Sequence, residues 1–114
     1  MKVVENGVIP FKGFLAINLF GIVFVRKEYW RKKDAWHRQK CLLHEGIHTA
    51  QMKELLYVFF YVIYVLEWLL RLVVRPKEAY RSISFEVEAY SHQGDEEYLR
   101  SRKHFAQWRK IEQK

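Results

Sequence analysis

Between residues 55 and 74 the chain carries only two charges, Glu67 and Arg71, in an otherwise apolar and aromatic run. A helix of that length is long enough to cross a bilayer, which takes about 20 residues. This run therefore divides the folds open to the chain into a membrane span and a globule built around an apolar helix. Glu67 and Arg71 are four apart with the acid first, a spacing at which they neutralise each other on a helix surface. A central charge costs about 2.5–3.5 kcal/mol on insertion, and each Leu, Ile, Phe or Val returns about 0.3–0.6 kcal/mol, so insertion lies near balance. The run alone admits both folds.

The chemistry lies just upstream, in His44-Glu45-Gly46-Ile47-His48. Positions four apart stack on one helix face, so two imidazoles reach one metal ion while Glu45 points at water beside it. Asp34 suits the N-cap of the helix that carries this motif. On that helix Trp36, Leu43, Ile47 and Ala50 form the stripe expected to face the core, with His37, Cys41, His44 and His48 beside it. His37 lies two turns, about 10 Å, from His44 and is too far for the same ion.

Residues 14–25 are rich in β-branched and aromatic side chains, interrupted by Asn18 and Gly21, which suit a tight connection. A short hairpin is expected, with strands at 14–17 and 22–25. Pro76 suits the first turn of a helix over 77–92. Gly94 ends it, and Asp95 caps a last helix with Tyr98, Phe105 and Trp108 as its apolar stripe and residues 109–114 as a solvated basic end.

With 114 residues, 50% of them hydrophobic and 17% aromatic, the chain has enough apolar surface for one core, and no linker divides it. The fold class expected is α+β, one domain over 1–114. Cys41 is the single cysteine, which excludes an internal disulfide and fits a reducing compartment. Glu5, Pro10, Lys12 and Asn18 interrupt the first apolar stretch, so no secretory signal is expected. The location expected is cytoplasmic, with membrane association allowed. Residues 26–40 hold seven basic side chains against Glu28 and Asp34. Such a block suits an anionic membrane surface, an acidic substrate or nucleic acid. Nucleic acid is disfavoured because no nucleic-acid motif accompanies the charge.

A hydrolytic zinc takes three protein ligands and leaves a position for water. After His48 the residues of the right type are Glu67, Glu78, Glu86, Glu88, His92, Asp95 and His104. Residues 84–90, Ser-Phe-Glu-Val-Glu-Ala-Tyr, resemble the Glu-x-x-Ala helix that supplies the third ligand in gluzincin metallopeptidases, with Glu86 in the ligand place. The chain as a whole is similar to the small stand-alone zincin-like proteins of bacteria. That resemblance implies His44, His48 and Glu86 as ligands of Zn2+ and Glu45 as general base. It implies a hairpin packed on a motif helix, a buried apolar helix, a returning helix that bears Glu86, and a C-terminal helix. One departure is visible: many such enzymes carry an aspartate four residues after the ligand glutamate, to orient a ligand histidine, and this chain has Tyr90.

Glu86 and Glu88 lie about 200° apart around a helix and cannot serve one site equally. Tyr90 and His92 are placed to donate to a developing oxyanion, and Tyr90 is assigned beside Glu45 as a catalytic group, although its residue type suits a core position better. The reaction implied is hydrolysis of a peptide or protein substrate, with the hairpin strand near 22–25 pairing with an extended peptide. The competing function is a non-catalytic membrane-surface or protein-interaction module built on the basic block, residues 55–74 and Trp30, Trp36 and Trp68.

Distance joins the two halves of the problem. A straight helix from residue 48 to 74 runs about 39 Å, while a return from 76 to 86 recovers about 15 Å. One unbroken helix is incompatible with Glu86 as a ligand. The chain is therefore expected to bend between residues 53 and 61, with 61–74 packed as a largely buried helix beside the motif helix.

Overall fold

The computed structural model describes residues 2–10 and 12–108; the basic end expected at 109–114 lies outside them. The class is α+β, with a three-stranded sheet at the N-terminus followed by six helices among the described residues. The strands are β1 (Lys2–Asn6), β2 (Ala16–Leu19) and β3 (Ile22–Arg26). The hairpin β2–β3 is present, shifted by two residues in its first strand. Its turn is Phe20-Gly21, both at positive φ (54° and 89°), the pairing a two-residue turn of this hand requires. Asn18, expected to help the turn adopt positive φ, lies within β2 and is buried. Its Oδ1 accepts the Gly21 N–H at 3.0 Å and so holds the turn through its side chain.

β1 was invisible to pattern reading. It joins β3 in parallel, Lys2 opposite Ile22, so β3 is central in the order β1-β3-β2. Alternation along β3 then buries Val23 and Val25 against Trp30. Cys41 and Leu42 pack on this cluster from the motif helix. Burial pushes the Cys41 thiol up to about 12, so it is a neutral packing group.

After a single turn, α1 (Lys27–Trp30), the motif helix α2 (Ala35–Glu54) starts where expected, Asp34 Oδ1 accepting the His37 N–H at 2.9 Å. The core-facing stripe holds at Ile47, but Trp36 is exposed. One turn past the cap, α2 has not yet reached the sheet, and Trp36 takes Lys40 over its ring instead.

The bend expected between 53 and 61 is present. α2 ends at Glu54, and α3 (Val58–Val74) leaves at 111° to it. Leu56 and Tyr57 both take positive φ, which costs about 1–2 kcal/mol per non-glycine residue. The Tyr57 N–H to Met52 carbonyl bond, 2.7 Å, closes the end of α2. Phe60 then joins Met52, Ile83 and Phe85 in a second buried cluster that offsets the strain.

Two expectations for the later helices are corrected. The apolar helix is not largely buried: Phe60 is the one residue of α3 in the buried class, and most of its Val and Leu side chains are exposed. α2, the hairpin tip and the return segment pack on one side of α3, and among the described residues the Val and Leu side chains of the other side stay exposed. No single helix among the described residues is long and apolar enough to cross a membrane. The return helix is also broken. A turn at Pro76–Glu78 leads into α4 (Ala79–Ser82), Ile83 is extended, and α5 (Ser84–His92) carries Glu86. The C-terminal helix α6 is only Tyr98–Ser101, with a second short turn at Ala106–Trp108.

Candidate metal centre

Three side chains from two helices meet at one point. His44 and His48 project from one face of α2, Glu86 projects from the first turn of α5, and all three are buried. Glu86 Oε1 lies 3.1 Å from both His44 Nε2 and His48 Nε2, and the two Nε2 atoms are themselves 3.1 Å apart. Tetrahedral bonds of about 2.0–2.2 Å would put donor atoms about 3.3–3.6 Å apart. The three side chains therefore lie close enough to bind one metal ion.

The orientation of both imidazoles is fixed from behind. Gln51 Nε2 donates to the Phe85 carbonyl and to Glu88, both of which only accept, so its Oε1 faces His48 Nδ1 at 2.8 Å. His48 Nδ1 must then donate. Gln93 Oε1 plays the same part at His44 Nδ1, also at 2.8 Å. With Nδ1 protonated, each neutral imidazole turns an Nε2 lone pair towards a carboxylate oxygen. Three electron-rich atoms converge on one point, a donor set that calls for a cation. Gln93, at the end of α5, is thus the acceptor behind His44. Tyr90 packs beside His44 without having to orient it.

Two further contacts that the sequence did not signal position Glu86, one directly and one through the start of α5. Tyr64 on α3 donates to its Oε2 at 2.6 Å, leaving Oε1 for the site. Glu67, expected to pair with Arg71, instead accepts the Ser84 N–H and hydroxyl at 2.9 and 2.6 Å. That carboxylate anchors the start of α5, two residues before Glu86, where an acid also complements the helix dipole. With no metal bound, burial alone would raise the Glu86 carboxyl, but a proton carried on Nε2 of His44 or His48 bonds to it in the metal's place and holds it well below the usual range. Burial would lower His48, and Glu86 reverses this and raises it.

Glu45 lines the adjoining cleft, which has a volume of about 630 Å³. Burial raises its carboxyl above the ordinary value, against the pull of His48 and His44. Asn18 on β2 donates to the Glu45 carbonyl and to Thr49 Oγ1, at 2.9 and 2.8 Å, fixing α2 to the sheet beside this residue. Tyr90 also lines the cleft: its ring packs edge-on to His44, and its hydroxyl meets that of Tyr80 at 3.2 Å. The rest of the lining is mostly apolar, including Phe14, Ile17, Met52 and Phe60.

The other residues of ligand type stand elsewhere. Glu88 points away from the site to Gln51, Tyr98 and Arg102. His92 stacks on Tyr98, His104 is exposed beside Glu54, and His37 pairs with Asp34 at the surface. Glu78 is exposed beside Arg75. Gln51, Gln93 and Tyr64 were missed because amides and phenols carry no metal signature in sequence; the one cue was that a ligand histidine needs an acceptor behind it. Comparison with protein-family models, curated proteins and solved structures gives no match for this chain.

Proposed function

We propose that the protein is a zinc-dependent peptidase in which His44, His48 and Glu86 hold the metal and Glu45 is the general base. The observation that carries the reading is the convergence of two Nε2 lone pairs and a carboxylate oxygen beside a cleft lined by a buried glutamate. The resemblance of residues 84–90 to the gluzincin ligand helix supports the same assignment. Two imidazoles and one carboxylate are a hydrolytic zinc set. Zinc held there supplies Lewis-acid polarisation of a carbonyl and acidifies water.

The chain supplies the rest. Glu45, its carboxyl raised by burial, accepts the proton of the attacking water and returns it to the leaving amine. The Tyr90 hydroxyl, at the cleft wall, is the donor for the oxyanion. Gln51 and Gln93 keep the Nδ1 protons in place, and Tyr64 keeps Glu86 turned to the metal. The peptide-pairing strand is β2, which corrects the expectation for 22–25: β3 has a partner on each edge, while β2 is the outer strand and lines the cleft. Metal analysis of protein purified without chelator tests the assignment. About one zinc per chain is expected, and His48→Ala should lose it; stoichiometric zinc retained by that variant would overturn the ligand set.

A further inference from the structure

α3 is inverted with respect to a helix on the surface of a water-facing globule. Its hydrogen-bonded side chains turn inward: Tyr61 donates to the Asn18 carbonyl, Tyr64 to Glu86, and Glu67 accepts from Ser84. Its outward face is Val58, Val62, Leu66, Leu69, Leu70 and Val73, each between 48% and 84% exposed. These positions fall on one side of the helix at 100° per residue, with no polar side chain among them. The apolar surface continues past the helix start to exposed Leu56 and to Phe20 at the hairpin tip, whose ring lies 5.2 Å from Tyr61. Six such side chains expose on the order of 600 Å², at or above the largest patch of a typical monomer.

We propose that this face docks on an anionic lipid bilayer, with α3 lying in the plane of the interface. Charge selects this occupant. Lys53 stands exposed before the bend, and Arg71 and Lys77 stand exposed around the far end of α3, where Arg75 is paired with Glu78. An aliphatic face bracketed by cations matches acyl chains below and acidic headgroups at the same level. The face offers no donor or acceptor with which a protein partner could be oriented. α3 has 17 residues, about 25 Å, and is too short to span the hydrocarbon core alone. Trp68, half-exposed at the border of the face, falls at headgroup depth, where its indole is at home. The cleft is lined by Tyr61 and Tyr64, on the inward side of the same helix. If the peptidase reading holds, its substrates are then polypeptide segments lying at a membrane surface; docking itself does not rest on that reading.

Flotation of the full chain with vesicles of phosphatidylcholine containing phosphatidylglycerol tests docking with no need for activity. The protein should float with these vesicles, about tenfold or more weaker with phosphatidylcholine alone. Leu66→Glu with Leu69→Glu changes side chains that are exposed on this face and should reduce flotation about a hundredfold. Lipids brominated in the acyl chain should quench the wild-type tryptophan emission more than that of Trp68→Phe, a readout that needs no charged variant. Three outcomes would overturn the proposal: flotation unaffected by the double substitution, flotation indifferent to lipid charge, or wild-type protein that stays unbound while the double substitution turns a dimer into a monomer. Zinc content, measured on the same preparations, reports on the metal centre separately.

Discussion

Replacing Gln51 by Leu probes the metal centre without touching a ligand. Gln51 is fully buried and makes three hydrogen bonds, to His48 Nδ1, to the Phe85 carbonyl and to Glu88 Oε1. Leu has a similar volume, so the loss is polar rather than steric. Glu88 keeps Tyr98 and Arg102, but the Phe85 carbonyl and His48 Nδ1 lose this buried partner. At about 1 kcal/mol for each neutral bond and about 1.5–3 for the charged one, the metal-free protein should lose about 3–5 kcal/mol. A second effect falls on the metal. With no acceptor behind it, His48 is free to move its proton to Nε2, where Glu86 accepts it and the donor set is spoiled. Zinc affinity should therefore drop about 10–100-fold, the usual cost of removing a group that orients a ligand. Urea unfolding of chelator-treated protein reads the first quantity, and competition with a chromophoric chelator the second. A stability change under about 0.5 kcal/mol, typical of a surface substitution, together with unchanged zinc affinity would refute the reasoning.

Further outcomes follow from the same contacts. Glu45→Gln should keep zinc and abolish hydrolysis of a peptide library; cleavage at the parental rate would remove Glu45 from the mechanism. Tyr64→Phe deletes the donor to Glu86 Oε2 and should weaken zinc about tenfold while leaving the fold intact, read by the same chelator competition. Acid should destabilise the metal-free protein partly through Glu54, whose carboxyl is desolvated yet held below its unfolded value of 4.5 by the Arg102 fork and the Phe105 N–H. A depressed carboxyl stabilises fully above that value and less as pH falls through its folded one. Arg102→Met should accordingly flatten the fall in unfolding free energy below about pH 4.5, and an unchanged slope would contradict the assignment.

His44, Glu45 and His48 were legible because metal chemistry draws on few residue types and helical spacing puts them side by side; Glu86 was singled out among seven candidates only by the resemblance of residues 84–90 to the gluzincin ligand helix. Asp34 was legible as a cap for the same local reason. The bend near Leu56 and Tyr57 was reached by distance alone, since no Gly or Pro marks it and neither residue favours positive φ. β1 carried no readable pattern. Its place beside β3 is a parallel pairing across some twenty residues, set by what the sheet can bury rather than by its own alternation.

Period and residue type act within a few residues and are written in the chain: the motif helix, the hairpin and the apolar run belong to the sequence. Which acceptor stands behind each histidine depends on elements far apart in the chain. Gln51 looks like any helix amide until Glu88 and Phe85 take its NH2 group, and Gln93 until α5 returns against α2. The face that α3 shows to its surroundings was likewise decided by packing. Once Tyr61, Tyr64 and Glu67 are committed to the hairpin, the metal site and α5, helical geometry leaves the Val and Leu side chains no direction but outward.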